Sequence, residues 1–253
     1  MSGEKDGLME VWSPKTSSTI INFNPLPLYV GGRGARACLL DKHIYACGGS
    51  KVINSTWQVF DSCRTASING GDWKLAAKLN KKRNFHTITT VGDELLVTGG
   101  SEGHNKLRSV EIYSNQSGWQ IANWTLPYGD SSHCVLALSE TQVIFISGQG
   151  NDNAMDVKKF DIRTGSHVDL PAPSGSTGGH HYCVREANFI YASDQISERQ
   201  HKVWKYSILE ERWTNSLDVY IDHHEALHAD AHSQEKNLDH NYTYIFLVLI
   251  EAL

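Results

Sequence analysis

The run His223-His224-Glu225-Ala226-Leu227-His228-Ala229-Asp230-Ala231-His232 gathers the densest set of metal-ligating side chains in the sequence. On a helix, His224, His228 and His232 would share one face at i, i+4 and i+8, a spacing suited to zinc or nickel. His224-Glu225-Ala226-Leu227-His228 also has the H-E-x-x-H form, in which two histidines hold zinc and the glutamate acts as base. That chemistry needs a third ligand, with His232, Glu235 or His240 at hand, and a cleft around the metal. The run lies at the end of the sequence, outside the repeated elements that would build a cleft. It is read as a solvated segment with only weak metal-ligand character, and no catalytic residue, metal or cofactor is assigned.

Other chemistries fall away on residue type. Gly31-Gly32-Arg33-Gly34 is not followed by Gly-Lys-Ser/Thr and makes no P-loop, and Gly175 to Gly179 is likewise a loop. The carboxylates of Asp218 and Asp222 have no partner that spacing supplies, and no Ser/His/Asp set rises above composition. Twenty-three Lys and Arg are interspersed with 28 Asp and Glu, for a formal charge of −5. Without a basic stripe, nucleic acid is not expected as a partner. The longest apolar run, Tyr244 to Ile250, is too short to cross a bilayer. The polar start carries no secretory core, so a cytoplasmic, monomeric protein is expected. Four sequons, at Asn54, Asn115, Asn123 and Asn241, keep secretion and glycosylation open. Of five cysteines, Cys38, Cys134 and Cys183 fall in first-strand positions that suit a small buried hydrophobe. Cys47 and Cys63 flank one hairpin, but a simple register does not set them opposite each other. Reduced thiols are expected.

What remains is periodicity. Trp12, Phe60, Tyr113, Phe160 and Tyr206 recur at steps of about 46 to 53 residues, close to the roughly 50-residue kelch period. Leu26, Leu79, Leu126, Leu170 and Leu217 keep step with them, three followed directly by proline. In the second repeat, Arg83 to Val91 is a β-branched run, Gly92-Asp93 a turn, and Glu94 to Thr98 a second strand ending at Gly99-Gly100. Val110 to Tyr113 and Trp119 to Trp124 supply two more strands. Four short strands with tight turns, repeated, make blades that must stack around an axis to bury both faces. The Gly-Gly is Gly48-Gly49 in the first repeat and degrades to Gly148-Gln149-Gly150 in the third. In the fourth, Ser193 leads into Asp194-Gln195 with no glycine, so that turn must be built differently. Aromatics repeated once per blade are read as inter-blade core rather than as a stacking platform.

These repeats resemble those of the kelch family: Arg or His before strand one, Gly-Gly after strand two, Tyr or Phe in strand three, Trp in strand four. The matching residues include Arg33, Arg83, His86, His133, Gly48, Gly49, Gly99, Gly100, Tyr113, Trp119 and Trp213, with His167 near the expected tryptophan of the third repeat. The resemblance covers roughly residues 8 to 217 and implies an all-β, kelch-type β-propeller with four full blades. Fragments at Met9 to Pro27 and after Leu217 either close a fifth blade from N- and C-terminal strands or do not belong to the ring; residues 218–253 are a degenerate half blade or an appended tail. The resemblance further implies a non-catalytic module that binds another protein through the loops joining strands two and three and those entering strand one. On that face fall Arg33, Arg83, Ser50, Ser101, His104, Arg108, Gln149, Asn151 and Arg199. Arginine suits a bidentate grip on an acidic partner. The alternative is a carbohydrate-active propeller enzyme related to galactose-oxidase-like or sugar-epimerising propellers, although the copper pattern of the former is not met residue by residue.

Overall fold

Every regular element among the described residues is a β-strand, as the period-two runs and frequent turn residues require. A computed structural model describes residues 32–148, 155–176, 182–195 and 200–220. In chain order, β1 (Arg36–Leu40), β2 (His43–Cys47), a separate hairpin of β3 (Ser50–Ile53) and β4 (Thr56–Val59), β5 (Cys63–Ser67) and β6 (Lys74–Ala76) form the first blade. The second has β7 (Thr87–Val91), β8 (Glu94–Thr98), a short hairpin of β9 (Ser101–Glu102) and β10 (Asn105–Lys106), β11 (Ser109–Ser114) and β12 (Gly118–Thr125). The third is β13 (Cys134–Ala137), β14 (Gln142–Ile146), β15 (Val157–Asp161) and β16 (His167–Leu170). The fourth is β17 (Tyr182–Glu186), β18 (Phe189–Gln195), β19 (Gln200–Ser207) and β20 (Arg212–Tyr220). Each blade is a four-stranded antiparallel meander, and the four make a β-propeller arrangement. The expected fifth blade, with Trp12, Leu26 and Tyr242 to Ile250, lies outside the described residues.

The core sits between blades, in three layers. Second strands are apolar at successive positions because both of their faces are covered. In β8, Leu95 and Val97 pack toward Tyr45 of the first blade, while Leu96 joins Val135, Val143, Phe145 and Phe160 of the third. In β14, Val143 and Phe145 face the second blade, and Ile144 and Ile146 meet Ile190, Ala192, Trp204 and Tyr206 of the fourth. The fourth-strand tryptophans act as inter-blade pegs. Trp119 Nε1 donates to Ala77 O at 3.1 Å, one blade back, and Trp213 Nε1 to Pro171 O at 2.8 Å. Trp124, on the other face of β12, reaches forward to Ile162 O at 3.0 Å. In the third blade His167 takes the tryptophan's place, 4.8 Å from the Phe160 ring.

Three expectations need correction. The sequence period puts the first-blade aromatic at Phe60, but the residue equivalent to Tyr113 and Phe160 is Ala66: Tyr113 pairs with Leu95, Phe160 with Val143, and Ala66 with Ile44. Hairpin β3–β4 lengthens this blade ahead of β5, and the bulk missing at Ala66 is supplied by Tyr45, whose ring lies 5.3 Å from that of Tyr113. The same insertion alters the cysteine register. With residues 50–59 looped into their own hairpin, Cys47 and Cys63 are direct cross-strand partners and form a disulfide. Cys134 and Cys183 join the third and fourth blades as a second disulfide, and Cys38 alone of the five is a free thiol. Burial pushes the Cys38 thiol up, so it stays protonated. In the fourth blade β18 and β19 stay paired out to Gln195 and His201, and the glycine-free connection beyond them lies outside the described residues.

Where blades join, His86 is enclosed and neither ring nitrogen has a hydrogen-bond partner among the described residues. Burial, then the charges of Arg83 and Arg36 and the neighbouring His133, holds its pKa well below the ordinary 6.5. The unfolded chain therefore binds a proton near pH 6.5 that the folded chain refuses. Stability is full above that pH and falls as the pH drops toward the lowered folded value, by about 1.4 kcal/mol per unit. Between pH 7 and 5.5 the wild type is expected to lose about 1.4 kcal/mol more than His86→Gln, read from urea midpoints at each pH.

Candidate partner-binding face

Two hairpins and two strand-one approaches meet on one side of the first two blades. Arg33 and Ser50 exchange backbone bonds at 2.9 and 3.0 Å, which ties the lead into β1 to the start of β3. Asn84 and Ser101 do the same one blade on, at 3.0 and 2.8 Å. Arg33 is thus equivalent to Asn84 rather than to Arg83, and the two arginines, one residue out of step, point to opposite environments. Arg33 is exposed, its guanidinium 5.9 Å from the Trp57 ring centroid and 5.6 Å from that of Phe85. Arg83 is 0% exposed and paired with Glu111, also 0% exposed, at 2.6 Å. The surface role expected of Arg83 does not hold, because a guanidinium spent on an interior carboxylate is not offered to a partner.

The other predicted residues divide similarly. Ser50 is buried, donating to Arg33 O at 3.1 Å and accepting from Asn84 Nδ2 at 2.9 Å. Ser101 is half-buried and donates to Asn84 Oδ1 at 2.6 Å. Both serines stitch the joint between blades rather than present a hydroxyl outward. Arg108 is exposed, but its Nε is committed to Leu126 O at 2.8 Å within its own blade. His104 stands exposed in the β9–β10 turn. Gln149, Asn151, Arg199 and the histidines His224, His228 and His232 lie outside the described residues, as does Asn241. Asn54, Asn115 and Asn123 are all exposed, the first two next to or within turns. Among the described residues no group of three or more His, Cys, Asp or Glu is placed to hold a metal, and no helix is long and apolar enough to cross a membrane.

Sequence reasoning misses three residues. Trp57, 56% exposed on β4, falls in what reads as a loop, though its failure to fit the aromatic period marks it as a tryptophan with another use. Glu111 is a charge inside the apolar run Val110 to Tyr113, and such a residue in a central strand needs an interior partner. Asn84 follows Arg83 directly and is overshadowed by it.

The Kelch motif matches residues 82–116, the span from the approach to β7 through β11. Kelch-like protein 35 of Mus musculus is 31% identical over 165 residues, covering 64% of this chain and 26% of the relative. The Homo sapiens protein of that name is 30% identical over 148 residues, covering 58% and 22%. The chain carries the kelch repeat. Its repeats explain the spacing of Gly-Gly, third-strand aromatic and fourth-strand tryptophan as one structural unit rather than three coincidences. The kelch chain spans about a quarter of the length of the curated relatives it matches. The solved structure of YjhT superposes with a TM-score of 0.60 at 11% identity, covering 74% of this chain and 66% of that one, a likeness of fold alone.

Proposed function

We propose that the chain is a non-catalytic interaction module that takes another protein on the side carrying the β2–β5 and β8–β11 connections. The observation that carries the reading is Trp57: a large indole left 56% exposed beside the Arg33 guanidinium, on a hairpin that adds nothing to the blade's own sheet. Tryptophan and arginine are the side chains that most often dominate binding energy at protein interfaces. His104, Glu102 and Lys106 on the neighbouring hairpin supply a polar rim. The kelch relatives support the reading by family, and Arg83, Ser50 and Ser101 support it indirectly by fixing the two hairpins to the ring.

The test compares the wild-type chain with a face variant, Arg33→Glu/Trp57→Ala/His104→Glu, and an outer-strand variant, Leu75→Ser/Ile121→Ser, in quantitative co-precipitation from cells. Proteins that bind this face should drop by about tenfold or more with the face variant, a loss of at least about 1.4 kcal/mol, and stay unchanged with the outer-strand variant. The opposite pattern would place the interface on the rim and end this reading.

A further inference from the structure

Hairpin β3–β4 is a two-stranded sheet with no third strand on either side among the described residues. Its turn is Asn54-Ser55, both left-handed with φ of 50° and 61°, the two-residue form in which the flanking residues exchange both main-chain bonds. With Ile53 opposite Thr56, Val52 opposite Trp57, Lys51 opposite Gln58 and Ser50 opposite Val59, bonded and non-bonded pairs alternate. Ile53 with Thr56 and Lys51 with Gln58 are the bonded pairs, so Trp57 and Val59 aim their N–H and C=O groups away from β3. Ser50, opposite Val59, confirms the phase: its outward groups are the ones bonded to Arg33.

On the β4 side those groups meet a cleft. Residues 57–61 line one wall of a space of about 460 Å³, and Lys82, Glu102 and Gly103 line the rest. Its charges balance: Glu102 stands with Lys82, and Asp61 is engaged by Lys78 at 3.7 Å, so the main-chain groups are what the cleft offers. An edge of unspent donors and acceptors is a template for another strand. Main-chain bonds along such an edge supply affinity, and alternate side chains supply specificity. A cross-strand neighbour of Trp57 gains most if it is aromatic or β-branched.

We propose that the free edge of β4 receives an extended segment of the partner protein as an added strand, bonded through Trp57 and Val59, with a β-branched or aromatic side chain beside Trp57. This rests on the reading that this side of the propeller binds a protein. It narrows that partner to one with an exposed, extended segment rich in β-branched or aromatic residues.

The test selects peptides from a random display library, about twelve residues long to span the edge and its flanks, on the whole chain, then measures a synthesised winner by calorimetry and by hydrogen exchange. Winners should be extended sequences with β-branched or aromatic residues. Saturation should slow exchange of the Trp57 and Val59 amides by about tenfold or more, the signature of a strand added at that edge. Trp57→Ala and Val59→Pro, the second of which deletes an edge N–H, should each weaken binding by about tenfold, while the outer-strand Leu75→Ser stays within about twofold. Trp57→Ala removes an exposed side chain, so it reports even if Val59→Pro disturbs the hairpin. Winners that slow no amide in β4 but lose binding with Arg33→Glu or His104→Glu would overturn the strand addition and leave the face reading intact. A library that enriches nothing, or only proline-rich winners, would overturn the strand addition too.

Discussion

Glu111→Ala should lower the unfolding free energy by about 3–5 kcal/mol, the cost of stranding an interior charge. The Glu111 carboxylate accepts from the backbone N–H groups of Asn80 at 2.6 Å and Lys81 at 3.1 Å, from Asn80 Nδ2 at 2.9 Å and from Arg83 Nη2 at 2.6 Å. It thereby fixes the linker that carries the chain from the first blade into the second. The Arg83 Nη groups also donate to Gly99 O at 2.6 Å, Ser109 O at 3.3 Å and Ser109 Oγ at 3.2 Å, while its Nε has no partner among the described residues. Burial presses the Arg83 pKa below its usual value, and the Glu111 charge opposes that shift and keeps the guanidinium. Without Glu111 the interior cation loses its paired carboxylate. Glu111→Gln keeps acceptor atoms for the linker and should cost less, and Arg83→Met/Glu111→Leu should be more stable than either Arg83→Met or Glu111→Ala, since neither charge is left alone. Urea denaturation with a common slope reads all of these. A loss below about 1 kcal/mol for Glu111→Ala would mean the linker is held by packing and the pair is incidental.

The contrast between this pair and the surface around Trp57 shows where a single sequence is legible. The four full blades, their strand order and the inter-blade role of the aromatics follow from period-two runs and the Gly-Gly and tryptophan spacing, because those features are dictated locally and repeat. Whether an arginine points in or out does not. Arg33 and Arg83 both precede a first strand, and only the backbone pairing of Arg33 with Ser50 and Asn84 with Ser101 shows them to be one residue out of phase. That offset puts one over an indole and the other against Glu111. Hairpin β3–β4 hides for a related reason. Asn54-Ser55 takes left-handed geometry without glycine, so the segment reads as an irregular loop, and the phase of Phe60 and the pairing of Cys47 with Cys63 are lost with it. The candidate face is legible as a side of the ring but not residue by residue, since a binding surface is set by which side chains the blades leave unspent.

Gly99→Ala should destabilise the chain by about 3 kcal/mol, in two parts that a control can separate. The first part is conformational: Gly99 has φ +54°, a left-handed geometry that costs an L-residue about 1–2 kcal/mol. The second is the close approach of the next blade. An alanine Cβ there would sit 2.6 Å from Asp130 O, 2.7 Å from His133 Cε1 and 3.3 Å from Leu126 Cδ1. None of these can retreat freely. Asp130 O is the acceptor for Gly100 N at 2.8 Å, and His133 Nε2 is hydrogen-bonded to Thr98 Oγ1 at 2.8 Å. Moving either loosens the seam between the second and third blades. Gly103, in the β9–β10 turn, has a similar φ of +64°, but a methyl group placed there would meet nothing within 4 Å. Gly103→Ala should therefore cost only the conformational part, about 1 kcal/mol. The difference between the two melts, about 2 kcal/mol, isolates what the missing Cβ contributes to blade stacking. Equal losses would mean that Gly-Gly recurs in these repeats for its backbone angles alone, and that the blades have room to move apart at the seam.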